Sequence, residues 1–181
     1  MEHEVPEKLQ LIGFLVKNDR EKIEQKMPEK LAEYDRLTSS KKYSALAFYP
    51  LNESLKFQHI AALMIYGNDS PEAYHKLGRW DYRMIMDSQY GKTVFNLFFK
   101  TPKDVFMSFP HLVNSVFRGL HAESIDKGEH MVEIILDVNP YPEPFMVGFF
   151  EECLERNFKK MGTIIPQSLP DGKTKYTICW V

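Results

Sequence analysis

Cysteine is almost missing from this chain of 181 residues, in which only Cys153 and Cys179 occur. They form no Cys-x-x-Cys pair and show no metal-ligand spacing, so nothing points to a disulfide framework or a thiolate metal site. The expectation is two small buried hydrophobes in a reducing compartment. An excess of charge of either sign is also lacking: 23 Lys and Arg stand against 25 Asp and Glu, for a net charge of −2. The basic residues are scattered, which removes the electrostatic footprint of a nucleic-acid binder. No uncharged run approaches the ~20 residues of a membrane span, and the acidic start Met1-Glu2-His3-Glu4-Val5-Pro6 has no apolar leader core. A cytoplasmic protein is expected. Internal repeats, low-complexity tracts and Ser/Gly linkers are missing, as are GxSxG, P-loop, GxGxxG and HExxH patterns. With no catalytic motif, the expectation is that the chain is not an enzyme.

What is present is apolar and aromatic, with 44% hydrophobic residues, 13 Phe and 9 Tyr. A chain of this length and composition buries a sizeable core as one domain over residues 1–181. The last third is the most regular. Gly119 to Ser124, a turn at Ile125–Glu129 and His130 to Val138 read as a hairpin, with Val132, Ile134, Leu136 and Val138 on one face. Thr163 to Leu169, the turn Pro170-Asp171-Gly172 and Lys173 to Val181 read as a second, with Tyr176, Ile178 and Trp180 on one face. Between them Val147, Phe150, Leu154 and Phe158 recur at helical spacing, giving a helix from Phe145 to Met161 that opens at Pro142-Glu143-Pro144. On its outer side Glu152 with Arg156 and Glu155 with Lys159 have favourable i,i+4 polarity. Gly148 within it is either a site of close backbone approach or a tolerated cost.

The first two thirds read mainly as helices. Leu9 to Val16 leans to strand. Lys17 to Leu37 is helical and split by Pro28, and 38–42 form a solvated loop. Ala45 to Pro50 is extended, and Asn52 caps a central helix to Tyr66 that is apolar almost all round. Ser70 as N-cap, Pro71 and Glu72 start a helix towards Asp87 with a stripe of Leu77, Trp80 and Met84. After Ser88–Gly91 an apolar segment holds Val94, Phe95, Leu97, Phe98 and Phe99. Thr101 and Asp104 then form a capping box, and Pro110 makes a corner that places His111 in the first turn of a segment to Phe117. The fold class is therefore α+β, with N-terminal helices packed over a four-stranded antiparallel sheet and one helix between its two hairpins.

Aromatic residues on helices over a sheet can wall an apolar pocket or simply fill a core. The candidate ligand-binding residues are His59, Trp80, Met84, His111, Phe145 and Phe149. His59, on the apolar helix, is either a core imidazole hydrogen-bonded to backbone or water or a ligand contact. His121 and His130 could meet across the first hairpin, but two imidazoles without a third ligand read as surface residues, and no metal site is expected. Glu151 with Glu152 and Asp81 with Asp87 read as helix surfaces.

Tyr49-Pro50, Leu77-Gly78-Arg79, Gly91-Lys92, Pro140 to Phe150 with Gly148, and the terminal Cys179-Trp180 resemble a family of short, uncharacterised proteins expanded in myxobacteria. The order helices, hairpin, helix, hairpin is similar to the superfamily joining haem-nitric-oxide/oxygen-binding (H-NOX) domains, vinyl-reductase-type ligand-binding domains and TRAPP tethering subunits. The H-NOX resemblance implies a proximal histidine, for which His111 lies roughly in place although it reads better as a structural residue of a helix's first turn, and a Tyr-x-Ser-x-Arg motif holding the haem propionates. Tyr141-Pro142-Glu143-Pro144-Phe145 has neither Ser nor Arg, so haem is not expected and no cofactor is assigned. The vinyl-reductase resemblance implies a pocket for a small hydrophobic ligand, and the TRAPP resemblance implies a homodimeric scaffold. The expected function is a non-enzymatic small-molecule-sensing or regulatory module, dimeric, with a homodimeric interaction scaffold of filled core as the alternative.

Overall fold

The computed structural model of the chain describes residues 5–38, 43–88, 91–93, 95 and 99–181. Leu9 to Val16 is divided between two elements, a strand β1 (Gln10–Ile12) and one helical turn α1 (Gly13–Val16). The amides of Gly13 and Phe14 donate to the carbonyls of Ala47 and Ala45, which turns the chain out of the strand. Helix α2 (Asn18–Lys26), a 3-10 turn at Pro28–Lys30 and α3 (Leu31–Leu37) follow, with the break at Pro28. Of the expected loop at 38–42, all but Thr38 lies outside the described residues, as do Val94, Leu97 and Phe98.

Strand β2 (Phe48–Pro50) enters helix α4 (Leu51–Tyr66) directly. Asn52 therefore sits within the first turn and is not the cap; Pro50 holds that position without a side-chain bond. Nor is α4 a central helix. It buries one stripe, including Leu51, Phe57, Ala61 and Ala62, and leaves Leu63 exposed. Helix α5 (Pro71–Asp87) starts as expected, with the Ser70 hydroxyl accepting from the Ala73 amide. Thr101 and Asp104 close a reciprocal capping box on α6 (Pro102–Met107), and α7 (Phe109–Val116) runs straight into β3 (Phe117–Arg118).

A small antiparallel sheet of order β2-β1-β3 collects these N-terminal strands. The second sheet is antiparallel with order β4-β5-β7-β6, built from hairpins β4 (Ala122–Asp126) with β5 (Met131–Leu136) and β6 (Gly162–Ser168) with β7 (Thr174–Trp180). Its inner face carries Val132, Ile134, Leu136, Tyr176, Ile178 and Trp180, all buried. His121 and His130 stand at opposite ends of the first hairpin, because Ala122 pairs Leu136 at one end and Asp126 pairs Val132 at the other. They do not meet.

Helix α8 (Glu143–Cys153) starts two residues before the expected Phe145 and passes into a π-turn, Leu154–Phe158, that ends at Lys159 in the left-handed conformation. It presses Phe145 and Phe150 towards the core and crosses α5 very closely. A Cβ on Gly78 would stand 1.9 Å from the Phe145 carbonyl oxygen, and one on Gly148 would stand 2.2 Å from that of His75. Each glycine is needed for the approach, which settles the two readings of Gly148 in favour of contact.

Candidate functional site

A cavity of about 160 Å³ lies where α1, α5, α7 and α8 meet the inner side of the β4-β5-β7-β6 sheet. Helix α7 supplies Phe109, Leu112, Val113 and Val116, one stripe at helical spacing. Helix α8 supplies Phe145, Met146, Phe149 and Phe150, and α5 supplies Asp81, Tyr82, Ile85 and Met86. Phe14 and Leu15 of α1 close one side, and Leu136 and Tyr141 close another. Many of the rings meet edge to face, including Tyr82 with Phe149 at 5.1 Å and Phe109 with Phe150 at 5.3 Å between centroids.

Asp81 breaks this apolar lining. It is only 8% exposed, and one carboxylate oxygen accepts from the ammonium of Lys22, itself fully buried on α2. Lys22 also donates to Asp19 at 2.8 Å. Burial opposes the Lys22 charge, but the two carboxylates beside it raise its pKa above the ordinary lysine value. Two carboxylates share one ammonium, so one is under-compensated. Burial, opposed by Lys22 and reinforced by the charge of Asp81, pushes the Asp19 carboxyl up to about 6. The Tyr141 phenol is raised well above its usual value by burial, then by Asp81 and Asp19. Burial pushes the Cys153 thiol up to about 12, so this cavity-wall cysteine stays protonated at neutral pH.

A second charged group lies on the far side of the α5–α8 crossing. Glu152, 5% exposed, accepts from Arg79 at 3.0 Å and from Arg83 at 2.6 Å. Arg79 also reaches Glu151 and Glu155, and His75 Nε2 lies 2.8 Å from Glu151. The expected pairs of Glu152 with Arg156 and Glu155 with Lys159 are replaced by these cross-helix contacts, while Arg156 binds Asp87 at 2.6 Å. Glu152 and Asp81 are therefore buried charges and not surface carboxylates. Although burial opposes ionisation of Glu152, its bonds to Arg83 and Arg79 hold the carboxyl below the usual range.

The six candidate residues do not form one site. Phe145 and Phe149 line the cavity. Trp80 and Met84 face away from it, into a mixed polar cleft where Lys26 Nζ stands 5.0 Å over the Trp80 ring. His59 is half-exposed on α4, its Nδ1 3.4 Å from the Tyr74 hydroxyl and 3.7 Å from Asp69, so the core-histidine reading fails. His111 is exposed on α7, while its neighbour Leu112 lines the cavity. The α7 stripe was readable from the spacing of Phe109, Leu112, Val113 and Val116. Asp81 carried no local signal.

The lining residues do not fit haem. None of those described is a histidine or arginine, and the volume is close to the ~150 Å³ of an apolar cavity that holds benzene, which is far smaller than a porphyrin. Among the described residues no three His, Cys, Asp or Glu side chains are placed to hold a metal ion. No helix among them is long and apolar enough to cross a membrane.

No curated protein matches the sequence. Solved structures do match its fold. An Fe(II) unliganded H-NOX protein from K. algicida is 14% identical, with a TM-score of 0.68 over 94% of this chain and 97% of that one. A point mutant of the T. Tengcongensis H-NOX is 11% identical, with a TM-score of 0.69 over 93% and 96%. A third structure, solved to probe haem distortion in the H-NOX family, is 12% identical with a TM-score of 0.69 over 93% and 94%. At these identities the likeness is one of fold. The family described as "Protein of unknown function (DUF2378)" matches residues 13–181, and the chain belongs to it.

Proposed function

We propose that this chain is a non-enzymatic binding module that senses a small, largely apolar molecule in the cavity between its helices and the main sheet. The observation that carries this reading is an aromatic-walled space of about 160 Å³ within an H-NOX-like fold. A void of that size lined by side chains with no partner across it forfeits dispersion contacts, and a molecule of benzene size would restore them. The competing reading, a homodimeric scaffold, calls for a filled core, and the cavity speaks against it. Haem is not the ligand in this reading, because among the described residues neither an imidazole nor a guanidinium borders the space.

Xenon or toluene titrated into purified protein and followed by NMR tests the proposal. Shifts confined to Leu112, Val113, Phe145 and Phe149, abolished by Leu112→Trp, are expected. No saturable binding of either probe overturns it. A Soret band after expression with haem supplied would overturn the exclusion of haem.

A further inference from the structure

Among the described residues that line the cavity one is charged, and it is a carboxylate. Asp81 is buried, its side chain 12% exposed, and lines the space with Tyr82 and Tyr141. Only its Oδ1 takes the Lys22 ammonium. Lys22 is already engaged by Asp19, so the buried group of Asp19, Lys22 and Asp81 carries one negative charge more than it neutralises when both carboxylates are ionised. Around this acceptor the walls present ring faces and edges, those of Tyr82, Phe149, Phe145 and Tyr141 among them. A carboxylate at the edge of an aromatic box suits an organic ammonium: the carboxylate accepts N–H bonds, and the ring faces attract the cation. A carboxylate ligand would meet repulsion at the same place, and a plain hydrocarbon would offer Asp81 no hydrogen bond.

We infer that the ligand is a small amine, an ammonium carried on an aryl or branched alkyl group, held by Asp81 with its apolar part among the rings of α7 and α8. The inference rests on the cavity being the ligand site.

Benzylamine, toluene and benzoate, matched in size and different in charge, test it by NMR titration at neutral pH. Benzylamine is expected to bind at least about tenfold more tightly than toluene, with no binding of benzoate and with loss of all binding in Leu112→Trp. In Asp81→Asn the advantage of benzylamine over toluene is expected to vanish. Toluene binding as tightly as benzylamine to the unaltered protein overturns the amine assignment and leaves the cavity reading standing, and this comparison holds even if the Asp81 variant fails to fold. Benzylamine binding that survives Leu112→Trp places the amine elsewhere and also overturns it. Failure of both probes to bind overturns the cavity reading itself.

Discussion

Helix α5 takes part in two junctions built on opposite rules. Towards α8 it is packed without slack: Gly78 and Gly148 let the backbones touch, and Arg79 and Arg83 lock Glu152 across the seam. Towards α1 and α7, Ile85 and Met86 face open space. The difference teaches how a small protein keeps a void open. Interiors relax into cavities when their walls can move, and here the wall carrying Asp81 is fixed from behind by a crossing with no freedom to slide. An added methyl group is an intrusion on one side of α5 and a filling on the other.

The sharpest way to break this contrast is at the glycines. Gly78→Ala and Gly148→Ala each force backbone apart and should cost about 3 kcal/mol, read as a lowered urea midpoint; a neutral result would mean that the seam is loose. Next in size, Glu152→Gln should cost about 2 kcal/mol at neutral pH by weakening two charge-assisted contacts. The Glu152 carboxyl titrates below its ordinary value of 4.5 when folded, so its contribution is present above that value and is lost as pH falls through the folded pKa. The variant should therefore lose less stability than the parent on acidification.

Asp19 runs the other way. Its folded pKa is raised from 3.8 to about 6, so the stability it lends as a neutral acid is present below 3.8 and is lost as pH rises through about 6. Asp19→Asn should remove a decline on the order of 1–2 kcal/mol across that window, seen in denaturation midpoints between pH 4 and pH 7. The smallest effect belongs to the open side. Val116→Leu, which adds a methylene beside the cavity, should be neutral or stabilise by up to about 1 kcal/mol while weakening probe binding. Destabilisation of the size seen at the glycines would erase the distinction between the two junctions.

Much of the architecture was legible because it follows local rules. Turn residues located both hairpins, period-two alternation assigned their inner faces, and Ser70-Pro71 and Thr101 with Asp104 marked helix starts that the structure retains. The site was only half legible. Phe145 and Phe149 belong to a helix with a single core face, and they border the cavity. On α5, by contrast, Leu77, Trp80 and Met84 make a convincing stripe, yet only Leu77 is buried, and the helix packs through Gly78, Asp81 and Tyr82 instead. Periodicity weighs side chains by hydropathy, and a face closed by a glycine and an ion pair scores as polar. Asp81 is buried beside Lys22, 59 residues away in sequence, whose ammonium it shares with Asp19. No local window holds that information. The same holds for Glu152, whose partners on α5 lie 69 and 73 residues away.

The join between α7 and β3 has a mechanical consequence. No residue intervenes between Val116, in the cavity wall, and Phe117, which lines the cavity and also pairs with Leu11 of β1. The helix is thus a lever fastened at its end to the small N-terminal sheet. Any rotation of α7 that enlarges the space must either carry β1 with it or break the pairs Gln10 with Arg118 and Leu11 with Phe117. Since β1 leads directly into α1 and then α2, the volume of the cavity and the placement of the N-terminal helices are not independent quantities.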